Sequence, residues 1–248
     1  MKAIILAAGR GSRLGDLTET KPKCLTELLG KTLLDWQIQA LIESGIKDIG
    51  IVRGYKKDKI NIEGVSYFDN DNWNKTNMVM SLYTASEWLE RYDCIISYSD
   101  IVYNKNIINF LKNSTREIAI TYNTNWLELW NARFANPLSD AETFKVDDDG
   151  RIIEIGKKAK SLEEIKGQYM GLIKIKPDGW KKAKCLIDSL SDEERNKLDM
   201  TSLLNKLIDE KVDIFGLGTD DLWLEVDSQE DLMLYKSWDK KQILTKLK

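Results

Sequence analysis

Unbroken apolar runs, rather than alternating ones, mark the first hundred residues of the chain. IILAA at 4–8, the core of IKDIGIVRGY and CIISYSD at 94–100 carry adjacent aliphatic positions, and VSYFDN at 65–70 resembles a further short strand. Such runs predict strands buried on both faces, as in a parallel sheet. Between them, LLDWQIQALIESG at 33–45 and MVMSLYTASEWLE at 78–90 repeat their apolar positions at helical spacing, and Gly45 is placed to end the first helix as its C′ residue. The order β-α-β-β-α-β predicts an α/β fold: a mostly parallel sheet with helices on both faces. Ligands of such sheets bind beyond the carboxyl ends of the strands.

From about residue 117 the pattern changes. EIAITYN, ETFKVDDDGRIIEIGKK and GQYMGLIKI read as strands, with a turn at Asp148-Asp149-Gly150, and predict a small antiparallel insertion over 117–176. SLSDEERNKLDMTSLLNKLIDEK is predicted helical, IFGLG and LWLEVD as strands, and SQEDLMLYKSWDKKQILTKLK as a closing helix. No repeat or proline-rich linker divides the 248 residues, so one domain over 1–248 is expected.

Composition narrows the chemistry. A net charge of −3 argues against a general nucleic-acid binder, which carries a basic face. No apolar stretch approaches the roughly 18 residues of a membrane span, so a cytoplasmic protein is expected. Cys24, Cys94 and Cys185 have no metal-type spacing and fit free thiols in a reducing compartment. The chain has no histidine, which excludes Ser-His-Asp chemistry, a histidine base and His-ligated zinc. Catalysis must rest on carboxylates, lysines, arginines and hard metals.

The first strand breaks into AAGRGSRLG. Gly9, Gly11 and Ser12 allow a tight turn whose N–H groups form an anion-binding nest, and Arg10, Arg13, Lys21 and Lys23 add positive charge. A strand, a small-residue loop and a cationic cluster suggest a bound triphosphate, against the bland alternative of a solvated basic turn. The pattern is neither a Walker A loop nor a dinucleotide fingerprint. Asp100 ends an apolar strand, where it could hold a divalent cation or cap a helix. Glu225 and Asp227, two apart in WLEVD, project from one strand face and together with Asp100 make a candidate Mg²⁺ site. In NDNWNKTNMVMSL, Asn70, Thr76, Asn77 and Ser81 either cap a helix start or read the edge of a pyrimidine. NTNWLELWNARFANPLSDAETF holds Trp126, Trp130, Phe134 and Phe144 with Arg133, Asp140 and Glu142. Aromatics at helical spacing are more often core, yet rings plus acids suit an ammonium group, and Arg133 suits a carboxylate or phosphate.

AIILAAGRGSRLG followed by KPKCL resembles the signature of the nucleotidyltransferases that activate sugar phosphates and related small molecules, and SYSD and WLEVD resemble that superfamily's two metal-binding positions. NWNKTNMVMSL is similar to the base-proximal segment of the branch acting on small non-sugar acceptors, the phosphocholine cytidylyltransferase type. The resemblance implies a Rossmann-like, GT-A-like fold and transfer of CMP from CTP to a small phosphorylated or phosphonate acceptor, with Mg²⁺ as cofactor and a place in cell-surface polysaccharide biosynthesis. It assigns the nucleotide to Leu6, Ala8, Gly9, Arg10, Gly11, Ser12, Arg13, Thr76, Asn77 and Ser81. Catalysis falls to Lys23 and Arg13 and the metal to Asp100, Glu225 and Asp227, while the chemistry of the rings, acids and arginine makes Trp126, Trp130, Arg133, Asp140 and Glu142 the candidate acceptor residues. Acceptors of that branch include phosphocholine, 2-aminoethylphosphonate and glutamine phosphate. No nucleic acid or membrane partner is expected, and self-association into a homo-oligomer stays open. The alternatives are a sugar-1-phosphate nucleotidyltransferase, a metal-dependent glycosyltransferase and a non-catalytic nucleotide sensor. The usual DxD motif of the second is not evident at Asp100-Ile101-Val102, and Lys23 with three metal-capable acids speaks against the third.

Overall fold

In the computed structural model, which describes residues 1–247, the apolar runs assemble into a seven-stranded sheet. Its spatial order is Phe215–Thr219, Ile118–Asn123, Gln168–Ile175, Cys94–Tyr98, Lys2–Ala7, Ile49–Arg53, Ser66–Asp69. Every neighbouring pair is parallel except the two made by Gln168–Ile175, which runs antiparallel to both partners. The fold is α/β and Rossmann-like.

Strand Lys2–Ala7 shows why its run had to be continuous. Ala3, Ile5 and Ala7 enter the apolar core on one face, while Ile4 and Leu6 enter the core on the other. A third core, built on Leu14, Trp36, Val102, Leu224 and Tyr235, lies beneath the carboxyl-end loops. Helix Leu33–Glu43 begins at Thr32 with a capping box to Asp35 and ends through Ser44 and Gly45, which takes φ +84° as a C′ glycine does. Among the described residues no helix is long and apolar enough to cross a membrane.

Several elements differ from the expected ones, among them the closing helix, which is two helices, Gln229–Ser237 and Lys240–Lys246, the second with its own N-cap at Asp239. The segment 78–90 forms two short helices, Met78–Tyr83 and Ser86–Leu89, because the Thr84 and Ser86 hydroxyls donate to the carbonyls of Ser81 and Tyr83 and interrupt the ladder. The helical stretch after Ser189 is likewise two helices, Asp192–Lys197 and Met200–Asp209, each with its own N-cap, Ser191 and Asp199. The separate antiparallel piece is smaller than 117–176. Only Glu142–Val146 and Ile152–Lys158 pair apart from the main sheet, while Ile118–Asn123 and Gln168–Ile175 are buried within it. The strand in WLEVD stops at Glu225.

Trp223–Glu225 pairs antiparallel with Ile101–Tyr103, and Val226 N–H donates to Asp100 O at 2.9 Å. This ribbon carries the loop after Glu225 to the carboxyl end of strand Cys94–Tyr98, beside the loop that follows Lys2–Ala7.

Candidate active site

The loop after the first strand turns at Gly11, φ +71°, a backbone conformation that L side chains rarely adopt. A Cβ there would stand 2.6 Å from Lys23 Cβ and Cδ, so Gly11 is also what lets the lysine lie against the loop. The Thr18 hydroxyl reaches Gly11 O and Gly15 O at 3.2 and 3.1 Å and holds the turn.

Lys23 is buried, and its ammonium spans 2.8 Å to Asp100 Oδ2 and 2.6 Å to Asp227 Oδ1. Burial works against its charge, but the two carboxylates outweigh it and hold the pKa above the ordinary lysine value. An ammonium has three donors. Two are spent on carboxylates, and one is left for a ligand. Arg13 Nη2 also reaches Asp227 Oδ1, at 2.9 Å, with its side chain largely exposed.

Leu6, Ala8, Gly9, Gly11, Ser12, Arg13 and Lys23 line a cavity of about 300 Å³, closed on the other side by Trp73, Thr76, Asn77, Met78, Ser81, Tyr98 and Asp100. Nothing lies within 4 Å of where a Cβ on Gly9 would point. Arg10 falls outside this lining, its guanidinium 5.7 Å above the Tyr55 ring. Asn77 carries both roles considered for it: it lines the cavity and caps helix Met78–Tyr83 by accepting Met78 N–H at 2.7 Å.

A second cavity, of about 450 Å³, adjoins the first, and Arg13, Met78, Tyr98 and Asp227 line both. Asp140, Glu142, Asp199 and Glu225 face it with Asp227, and Arg13 is the sole cation among its described lining residues. Its apolar wall includes Phe144, Tyr169 and Met170, and Tyr98 meets Tyr169 edge to face at 5.6 Å. Gly171, φ +75°, makes room for Tyr98, since a Cβ there would come within 2.9 Å of that ring. Burial pushes Asp140 above the ordinary carboxylate range despite nearby Arg133, and burial with the charges of Asp199 and Asp140 does the same to Glu142. Burial and Asp227 raise Glu225, against the pull of Arg133.

Two expected acceptor residues, Arg133 and Trp126, are placed otherwise. The Arg133 side chain is fully enclosed, with Nη1 2.7 Å from Glu225 Oε2 and Nε 2.8 Å from Asp231 Oδ1. Asp231 Oδ2 in turn accepts the backbone N–H groups of Asp227 and Ser228 at 2.8 and 3.0 Å. Arg133 therefore fastens the 225–231 loop rather than waiting for an acceptor's anion. Trp126 is buried in the core outside the cavity lining, whereas Trp130, stacked on Trp223 at 5.7 Å, does line the second cavity. The rings at the second cavity are Trp130 together with Tyr98, Phe144 and Tyr169.

Glu225 is not gathered with Asp100 and Asp227, because Arg133 holds its carboxylate. Among the described residues no group of three or more carboxylate, thiol or imidazole side chains is clustered as a metal site. The pair Asp100 and Asp227 does fit a hard divalent ion. Both are oxygen donors at one point, and Asp100 Oδ1 is buried without a hydrogen-bond partner. Mg²⁺ commonly needs one or two carboxylates plus substrate phosphates.

The family model for a MobA-like NTP transferase domain matches residues 3–145. The CTP:phosphoglutamine cytidylyltransferase of Campylobacter jejuni is 39% identical over 94% of this chain and 98% of its own length. The 2-aminoethylphosphonate cytidylyltransferase of Lancefieldella rimae is 27% identical over 84% of this chain and 80% of its own. Among solved structures, the CTP:phosphocholine cytidylyltransferase from Streptococcus pneumoniae superposes with a TM-score of 0.72 at 25% identity, covering 95% of this chain and 97% of that one.

Proposed function

The chain belongs to the MobA-like NTP transferase family, and from that premise we propose that it is a cytidylyltransferase moving CMP from CTP to a small phosphorylated acceptor with an ammonium group. The observation that carries the reading is the pair of joined cavities with Lys23, Arg13 and Asp227 at their junction, one side walled by the glycine loop and the other by carboxylates. The triphosphate lies on the Gly9–Arg13 loop, with Thr76, Asn77 and Ser81 towards the base.

An acceptor phosphate is already anionic at neutral pH. Its oxygen attacks the α-phosphorus, the bond to the bridging oxygen breaks, and pyrophosphate leaves with that electron pair. No proton need move in this step, so the absence of histidine costs nothing. What the step needs is alignment and neutralisation of phosphoryl charge. The free donor of Lys23 is placed for an α-phosphoryl oxygen, and exposed Arg13 can swing to the departing pyrophosphate. Asp100 and Asp227 would hold Mg²⁺, which when bound neutralises phosphate charge. We place the reaction in the cytoplasm, where CTP is made.

The second cavity sets the acceptor class. Five carboxylates face it; Glu225 and Asp227 are paired with Arg133, Lys23 and Arg13, while Asp140, Glu142 and Asp199 have no ion-pair partner among the described residues. A cationic head offsets the charge of those three and gains cation–π attraction of roughly 0.5–2 kcal/mol from the rings. A sugar offers neither. With CTP and Mg²⁺, pyrophosphate release should therefore show kcat/KM at least about 10-fold higher for glutamine phosphate, phosphocholine or 2-aminoethylphosphonate than for glucose 1-phosphate. Asp140→Ala and Glu142→Ala should raise KM for the preferred acceptor more than KM for CTP. Preference for glucose 1-phosphate would overturn the reading.

The sign of the pH dependence follows from the raised pKa values of Asp140 and Glu142. A bound cation favours their ionised forms, so acceptor affinity is full above their pKa and falls as pH drops through it. The rise in acceptor KM on acidification should begin above the ordinary carboxylate range, and Glu142→Gln should move its onset.

A further inference from the structure

Asn70 directly follows strand Ser66–Asp69; the residue is 5% exposed and is absent from the cavity lining. The orientation of its amide is dictated by a backbone donor. Asn72 N–H, which can only donate, lies 3.0 Å from Asn70 Oδ1. The other end, Nδ2, therefore faces two hydroxyls, Thr76 Oγ1 at 3.0 Å and Ser81 Oγ at 3.0 Å. Both amide hydrogens are spent, and both hydroxyls must accept.

The two hydroxyls then differ. Thr76 sends its hydrogen to Asn72 O at 3.0 Å. Ser81 finds no protein acceptor among the described residues, although it is 6% exposed and lines the nucleotide cavity beside Ala8 and Thr76. Its one remaining hydrogen is left for whatever fills that cavity.

We propose that Asn70 is a positioning residue for base choice: by forcing Ser81 to accept, it makes Ser81 present a donor at the pyrimidine edge and so selects cytosine over uracil. The two bases differ at N3, which is a lone-pair acceptor in cytosine and an N–H donor in uracil. A donor fixed at N3 pairs with the first and opposes the second, and a buried donor facing a donor is left unpaired, which is costly. The inference rests on the CTP reading of the cavity and adds the group that enforces it.

Calorimetric dissociation constants for CTP and UTP in the presence of Mg²⁺ test it without knowledge of the acceptor. Wild type should prefer CTP. Ser81→Ala should lower the UTP-to-CTP ratio of dissociation constants about 10-fold. Asn70→Asp should do more. A carboxylate still serves Asn72 N–H but accepts from Ser81, turning the serine's lone pair towards N3, and the ratio should move roughly 10²-fold towards UTP. Asn70→Ala frees the hydroxyl to rotate and should fall between them, and it covers the case in which the buried aspartate does not fold. A purely structural role would weaken both nucleotides together and leave the ratio alone. A CTP preference that survives Ser81→Ala and Asn70→Ala unchanged overturns this inference by itself, whereas a wild-type preference for UTP overturns the CTP reading with it.

Discussion

Lys23→Ala should leave the protein folded and lower kcat for pyrophosphate release by on the order of 10²-fold or more, the usual cost of removing a preorganised charge at a reacting centre. The lysine is held in advance. Its ammonium is fixed 2.8 Å from Asp100 and 2.6 Å from Asp227, with one donor unspent, so no reorganisation is needed when phosphoryl charge builds. Alanine removes that donor and also leaves two carboxylates facing each other. The variant should therefore take up Mg²⁺ more readily without nucleotide while turning over far more slowly, a split that a mere folding defect would not give. Circular dichroism checks the fold, and pyrophosphate detection under saturating CTP and acceptor checks the rate. Near-wild-type turnover in a folded variant would remove Lys23 from the mechanism.

The contrast between Lys23 and Arg133 shows what the sequence could and could not disclose. Lys23 was readable because its setting is local: an unbroken apolar strand, a glycine turn and a lysine shortly after, with Gly11 and Lys23 packed against each other. Its partners are not local, since Asp100 and Asp227 arrive through the strand Cys94–Tyr98 and the ribbon that bonds Val226 to Asp100. Arg133 misled for the same reason. A helix with Trp126, Trp130 and an arginine has the composition of a cation cage and of a core helix alike. The choice was made by Trp223, Glu225 and Asp231, about 90 to 98 positions away, which pack on the rings and take up the guanidinium. The second cavity had no local signature beyond Trp130, Asp140, Glu142 and Phe144. Gln168–Gly171 reads as part of an ordinary strand and Asp199–Ser202 as the middle of one long helix, and only the tertiary fold brings them together.

Asp227→Asn and Asp100→Asn should each lower kcat by about 10²-fold or more and raise the Mg²⁺ concentration needed for half-maximal rate, because each weakens a hard oxygen donor for one ion. Their effects should not be equal. Asp227 Oδ1 anchors both Lys23 and Arg13, and its Oδ2 lies 3.6 Å from Arg133, so neutralising it loosens two cations at the junction of the cavities as well as the ion. Asp100 contacts Lys23 through Oδ2 alone, and its buried Oδ1 has no protein partner, so its loss should fall more narrowly on metal dependence. Glu225→Gln should be the mildest of the three. Its carboxylate is held by Arg133, and an amide oxygen can still accept that hydrogen bond. Titrating Mg²⁺ against initial rate in the three variants separates these cases. If the half-saturating Mg²⁺ and the limiting rate of Asp100→Asn and Asp227→Asn both match wild type, the ion has been assigned to the wrong carboxylates. If Glu225→Gln is as damaging as the other two, the carboxylate leaves Arg133 when nucleotide binds and joins them.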